Sequence, residues 1–242
     1  MSIEIEALEH VYNKGTPFEH VALKGIDLTI PEGKVTAIIG QTGSGKSTLV
    51  QHLNGLLMPT GGFLDICGYH IQPLLKIKDI KELRKKVGLV FQFPEYQLFE
   101  ETIEKDIAFG PKNFGTSEEE ANALVRKVLP LVGLDESYLD RSPFELSGGQ
   151  KRRVAIAGIL ILNPEVLVLD EPTAGLDPQG ATEMMSLFMK LNCEMNKTVL
   201  LVTHDMDHVM NYCDHVIVLD HGKLKHESDV LSTSGLDVKY WN

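Results

Sequence analysis

Residues 40–48 read GQTGSGKST, directly after the apolar run VTAII at residues 35–39 and directly before a stretch able to form a helix. The pattern GxxxxGKS in that setting admits few folds: a buried strand must end in a glycine-rich turn whose backbone N–H groups face inward, and a helix must start inside the turn. Gly40, Gly43 and Gly45 keep side chains out of the way of a phosphate, with Gln41, Thr42 and Ser44 completing the loop. A helix N-terminus near Lys46 adds its partial positive charge at the same spot. The spacing predicts that Lys46 reaches the β- and γ-phosphates of a nucleotide, that the Ser47 hydroxyl ligates Mg²⁺, and that Thr48 closes the phosphate contacts.

A loop of this kind needs an acidic partner at the end of a neighbouring buried strand. VLVLD at residues 166–170 supplies it, followed at once by Glu171. Asp170 is placed to hold Mg²⁺ through water. Glu171, one residue further into the loop, is placed to accept a proton from an attacking water or to orient it.

Apolar runs separated by helical stretches recur from residue 35 onward: VTAII, VGLVF from Val87, EVLVLD from Glu165, TVLLVT from Thr198 and HVIVLD from His215. That alternation is the mark of buried parallel strands with helical crossovers. Before it, IEIEAL near Ile3 and ALKGIDLTI near Ala22 alternate apolar and polar residues, which predicts an antiparallel flank. Residues 94–150 contain no strand run. They carry a capping signature at residues 116–120 ahead of a helix ending near Val132, so a helical subdomain inserted in the α/β core is expected. Asp177 and Pro178 read as an N-cap and first helical position. One catalytic domain over residues 1–225 follows, with a tail at 226–242, including Trp241, whose fold the pattern does not reveal.

A net charge of −11 repels a phosphate backbone, so direct nucleic-acid binding is not expected. The one basic cluster, KELRKK at residues 81–86, reads as a solvated helix end offsetting its dipole. Cys67, Cys193 and Cys213 show no paired spacing and read as reduced thiols, in keeping with the cytosol. The N-terminus carries acidic residues and no apolar run of the signal-peptide type. The longest apolar stretch, residues 154–162, is less than half of the roughly 20 residues a membrane helix needs. Any membrane role is expected to run through the surface or a partner.

Residues 146–150 read LSGGQ and continue into KRRVAIAGILILNP and the Asp170 strand. With the loop at 40–48, this resembles the signature of the ABC ATPases, over residues 3–225. Taken alone, LSGGQ would be a Ser N-cap with two glycines. The resemblance implies a P-loop NTPase (ABC ATPase) core, in which Leu146, Ser147, Gly148, Gly149 and Gln150 close over ATP bound to a second ATPase subunit. It further implies that Gln92 touches Mg²⁺ and senses a transmembrane partner, that Asp177 crosses the dimer interface, that His204 hydrogen-bonds the γ-phosphate, and that Tyr12 stacks on adenine. The segment FQFPEYQLFEETIEKDIAFGPKNFG at residues 91–115 is similar to the ATPase subunits of energy-coupling factor transporters, the second A-type subunit in particular. Phe93, Pro94, Tyr96, Leu98 and Phe99 would then border a groove for a transmembrane coupling subunit; they could equally cap the helical subdomain's own core. The implied assembly is peripheral, on the cytoplasmic face of the membrane, with a sister ATPase, the coupling subunit and a substrate-binding membrane subunit. Two other readings stay open: a homodimeric ATPase of a cobalt or nickel importer, and a soluble ABC-type ATPase acting on nucleic acid.

Overall fold

The computed structural model describes residues 3–230. The chain opens with two strands, β1 (Ile3–Tyr12) and β2 (His20–Ile30), paired antiparallel from Ile3 opposite Ile30 to Tyr12 opposite His20. It then enters β3 (Val35–Ile39) and, through the glycine-rich loop, α1 (Lys46–Leu53). A hairpin of β4 (Gly61–Ile66) and β5 (Tyr69–Ile71) follows, then α2 (Ile80–Lys86) and β6 (Val87–Val90). A 3-10 turn at Pro94–Gln97 leads to α3 (Ile103–Asn113), α4 (Glu118–Val128) and α5 (Gly148–Leu160). The remainder is β7 (Val166–Asp170), α6 (Pro178–Met195), β8 (Thr198–Val202), α7 (Met206–Tyr212), β9 (His215–Asp220) and β10 (Lys223–Asp229).

Two sheets form. One is antiparallel, in the order β2-β1-β4-β5; the other runs β10-β9-β3-β8-β7-β6 and is parallel except for the β9–β10 pair. The apolar runs of the parallel strands are explained by what lies on each face. In β8, Val199 and Leu201 join the core shared with α3–α6, while Leu200 and Val202 join the core shared with the antiparallel sheet. In β7, Leu167 and Leu169 face the first core, and Val166 and Val168 the second. Strands buried on both faces have no polar side to show, so they read as unbroken apolar runs.

The helices obey local chemistry. α4 begins with a reciprocal capping box, in which the Ser117 side chain accepts from the Glu120 N–H and the Glu120 carboxylate reaches back to Ser117. α5 begins with the same device built from Ser147 and Gln150. Asp177 caps α6 by accepting from the Gly180 N–H at 2.9 Å. Arg84, Lys85 and Lys86 fill the last turn of α2, where cations offset the helix dipole.

Two sequence expectations change. The antiparallel flank is larger than two strands, because β4 and β5 join it. The chain also keeps regular structure past Lys225: β10 extends to Asp229, so residues 226–229 of the supposed tail belong to the sheet, and residues 231–242 lie outside the described residues. β10 alternates exposed and half-buried polar residues, which gives no apolar signal. It is held by antiparallel backbone pairing with β9, beside which the His215 ring nitrogens lie 3.1 Å from the Glu227 carboxylate and 3.3 Å from that of Asp229.

Candidate active site

The loop between β3 and α1 needs its glycines for steric reasons. Gly40 sits at φ +151, and a Cβ there would run into the Leu219 carbonyl of β9 and lie 2.6 Å from the Ser44 Oγ. Gly45, the residue before α1, has φ +104 and would bring a Cβ to 2.8 Å from the Leu23 Cδ2. Both φ values lie in the region L side chains rarely adopt. The Ser44 Oγ is buried without a hydrogen-bond partner, an orphan polar atom inside a loop built for an anion.

Lys46 Nζ donates to the Gly40 carbonyl at 2.6 Å and the Gln41 carbonyl at 3.0 Å, folding back over the loop it follows. Burial pulls its ammonium below the usual lysine range, against the opposing pull of Glu171 and Asp170. Asp170, at the end of β7, is raised by burial and by the neighbouring Glu171 charge, and Lys46 only partly offsets this. Two carboxylates and one amine therefore share a half-buried space in which each of the two shifted groups, Lys46 and Asp170, is less comfortable charged than in water. Positive charge beside the carboxylates and negative charge at Lys46 would relieve both, and a nucleotide phosphate with a divalent cation supplies that pair.

Glu171 is held unusually firmly. Its backbone has φ +50, its N–H donates to the Val202 carbonyl of β8 at 3.0 Å, and its Oε1 lies 2.8 Å from the His204 Nδ1. A non-glycine residue at positive φ stores strain of order 1–3 kcal/mol and persists only where neighbours overdetermine it. The Glu171 side chain is mostly covered, whereas His204 stands exposed above it. The sequence places both residues in the site; the structure adds that His204 grips Glu171.

A cleft of about 310 Å³ joins Tyr12, His20 and Ala22 to Thr42, Gly43, Gly45, Lys46, Ser47 and Thr48, and to Gln92, Asp170 and Glu171. Leu146, Ser147, Gly148, Gly149 and Gln150 are not part of its lining. Gly148 and Gly149 have open space where a Cβ would point. Leu146 itself turns inward and is part of the larger core, so of the signature residues it is a packing residue rather than a surface one.

Tyr12 reaches the loop through its hydroxyl, 3.2 Å from the Thr48 Oγ1. Beneath it lies a pair of imidazoles that sequence patterns do not reveal. The His52 Nδ1 is 2.7 Å from the Thr48 carbonyl, and its Nε2 is 3.1 Å from the His10 Nδ1, which is also 3.1 Å from the Met58 carbonyl. A carbonyl only accepts, so His52 carries its proton on Nδ1 and accepts from His10 on Nε2. Burial pushes His52 down to about 4 and lowers His10 as well. The unfolded chain protonates its histidines near their usual value of about 6.5. The stability this neutral pair contributes is therefore complete above about pH 6.5 and declines toward pH 4, by up to about 3 kcal/mol. His52→Asn is expected to flatten that part of the stability profile in urea titrations at pH 7 and pH 5; parallel profiles for the two proteins would contradict the assignment.

The aromatic cluster after β6 divides in two. Tyr96 is 83% exposed and Phe93 and Phe99 also face solvent, with Phe109 of α3 edge-on to Phe99 at 4.8 Å. Pro94 is buried, and Leu98, 8% exposed, belongs to the larger core. Of the two readings of these residues, Pro94 and Leu98 therefore take packing: Pro94 is buried in the 3-10 turn and Leu98, the residue after it, sits in the larger core. Among the described residues no helix is long and apolar enough to cross a membrane. Burial raises the Cys67 thiol to about 11 and the Cys213 thiol to about 12, so both are protonated.

The family profile described as ABC transporter matches residues 23–174. The energy-coupling factor transporter ATP-binding protein EcfA2 of Enterococcus faecalis is 62% identical over 224 residues, 93% of this chain and 78% of that protein. The protein of the same name from Ligilactobacillus salivarius is 60% identical over the same shares. Among solved structures, cbiO1 of Clostridium perfringens, part of the ABC transporter complex cbiONQ, has a TM-score of 0.83 at 41% identity, covering 96% of this chain and 89% of its own. The dimeric ATP-binding cassette MJ0796, bound to ADP and Pi after hydrolysis, has a TM-score of 0.80 at 32% identity, covering 94% and 98%. A nucleotide cleft with its acidic end intact, in a fold and sequence shared at this level, places the chain in the ABC transporter family as an ATP-hydrolysing subunit of the energy-coupling factor type.

Proposed function

We propose that the chain is one of two ATPase subunits on the cytoplasmic face of the membrane, driving import of vitamins or other micronutrients through a transmembrane coupling subunit. A separate membrane subunit would choose the cargo. The observation that carries this reading is a division of the site. One chain supplies the phosphate loop, Asp170 and Glu171 in a single cleft, while its own Ser147–Gly148–Gly149 helix start lies outside that cleft with open space before it. Two chains arranged head to tail would each complete the other's site, with the α5 helix start facing the γ-phosphate of its partner's ATP.

In that arrangement Lys46 exchanges its loop carbonyls for β- and γ-phosphate oxygens, and the backbone N–H groups of residues 43–48 cradle the same oxygens. Among the described residues no cluster of three or more His, Cys, Asp and Glu is able to hold a metal alone. That suits Mg²⁺, which takes few protein ligands and the rest from phosphate and water; Ser47 and Gln92 would hold it directly and Asp170 through water. Held by these residues, Mg²⁺ would supply positive charge against the phosphate oxygens. Glu171 orients the attacking water and accepts its proton, and His204 keeps the carboxylate aimed and hydrogen-bonds the γ-phosphate. Asp177 lies at the chain-to-chain interface. Tyr12 and the nearby His20 flank the adenine.

Phe93, Tyr96, Phe99 and Phe109 form the surface on which helices of the coupling subunit would sit. Affinity purification of the tagged chain, co-expressed with candidate sister and coupling subunits, tests this. Tyr96→Ala and Phe99→Ala are expected to lose the membrane subunit and retain nucleotide binding; full assembly and uptake by both would remove this surface from the reading. A second reading is a homodimeric ATPase of a cobalt or nickel importer, and recovery of no distinct sister ATPase in the same experiment would support it.

A further inference from the structure

Arg152 lies in the first turns of α5, five residues beyond Ser147, and is 3% exposed. A buried guanidinium is costly unless its donors are met, and here four N–H groups are used. The Nε and Nη2 donate to the two carboxylate oxygens of Glu95 at 3.1 and 3.0 Å. The Nη1 donates to the carbonyls of Pro172 at 3.1 Å and Ala174 at 2.9 Å. Its Cζ also lies over the Phe93 ring, 5.8 Å from the ring centroid.

These partners belong to three different parts of the machine. Glu95 sits in the 3-10 turn at Pro94–Gln97, between the solvent-facing Phe93 and Tyr96. Pro172 and Ala174 form the turn immediately after Glu171, closed by the Ala174 N–H donating to the Glu171 carbonyl at 3.1 Å. Arg152 itself rides on the helix whose first turn carries the signature residues. Only a planar, forked side chain can grip a carboxylate on one edge and two carbonyls on another.

We infer that Arg152 is a positioning residue that joins the Phe93–Tyr96 surface, the turn carrying Glu171 and the signature helix into one mechanical unit. It touches no substrate. When nucleotide binding moves the turn after Glu171, the Pro172 and Ala174 carbonyls pull Arg152, and Arg152 pulls Glu95 and the aromatic surface beside it. The linkage is reciprocal, so a partner pressing on Phe93 and Tyr96 shifts the turn that aims Glu171. This rests on the reading of that surface as a docking site, but its test does not need the partner.

The test is hydrogen exchange on the full chain with and without Mg²⁺ and a non-hydrolysable ATP analogue. In the wild type the analogue is expected to slow exchange at residues 40–48 and to change it at residues 93–98. In Arg152→Lys and Glu95→Gln the response at 40–48 should persist, while the response at 93–98 falls by about fivefold or more. Glu95→Gln is isosteric and leaves the carbonyl bonds of Arg152 in place, so it carries the same expectation if Arg152→Lys fails to fold. A residue that merely braces the fold would lower the melting temperature and leave the response at 93–98 intact; that result overturns the inference, as does a wild type whose 93–98 segment ignores the analogue. Loss of the response at 40–48 in the wild type would overturn the nucleotide-site reading itself, and this inference with it.

Discussion

Replacing Glu171 by Gln is expected to lower steady-state ATP turnover by about 10²–10⁴-fold while ATP binding stays close to that of the wild type. The amide has the shape of the carboxylate and the backbone at φ +50 is unaltered, so geometry is preserved. What disappears is the capacity to accept a proton from water. Removing one negative charge also relieves Asp170, whose carboxyl is raised by burial and then by Glu171, so the nucleotide-bound state is not weakened. The variant is expected to accumulate as ATP-loaded dimers. Phosphate release at saturating ATP, with size-exclusion chromatography of the ATP-loaded protein, checks both parts; turnover within about twofold of the wild type would remove Glu171 from the role of base.

Lys46→Ala acts on binding rather than on the chemical step alone. The wild-type ammonium is already half-desolvated and held by the Gly40 and Gln41 carbonyls, so it meets a phosphate with little further loss of freedom. Without it those carbonyls and the two carboxylates face the triphosphate with no opposing charge. Losing one partner of a buried charge pair costs about 2–5 kcal/mol, a weakening of roughly 30-fold to several thousand-fold in ATP affinity. Lys46→Arg should not rescue it, because the fork does not fit a point contact within the loop. Equilibrium titration with a fluorescent ATP analogue measures this; affinity within threefold of the wild type would place the phosphates elsewhere.

The parts of this protein that its sequence discloses are those whose chemistry is local. The phosphate loop, the Ser147 and Asp177 caps and the doubly buried strands β3, β7, β8 and β9 each follow from residues within a few positions of one another. The antiparallel sheet was half visible: β1 and β2 alternate over much of their length despite bulges in their pairing, but β4 begins with Gly61 and Gly62 and β5 is three residues long, too little for a period to register. β10 pairs antiparallel with β9 but has no fully buried residue, so it lacks the apolar alternation that marks a strand.

Within the site, the hidden residues are those joined across long stretches of chain. Arg152 and Glu95 are 57 positions apart, and His10 and His52 are 42 apart. No spacing rule links them, and each alone reads as an ordinary surface polar group. Pro94, Leu98 and Leu146 show the converse: they sit inside recognisable motifs, Pro94 and Leu98 with both a groove and a packing reading open, and burial assigns all three to packing. A short 3-10 turn turns its side chains in directions that neither helical nor strand periodicity anticipates.

In the proposed function, ATP hydrolysis at a site shared between two chains is the source of work on a membrane partner. Phosphate release by the purified chain alone, compared with the chain assembled with its sister ATPase and coupling subunit in lipid vesicles, tests that most directly. The predicted result is slow turnover alone, faster turnover on assembly, and loss of both turnover and cargo uptake with Glu171→Gln. Full turnover by the isolated chain, unchanged by assembly, would contradict it.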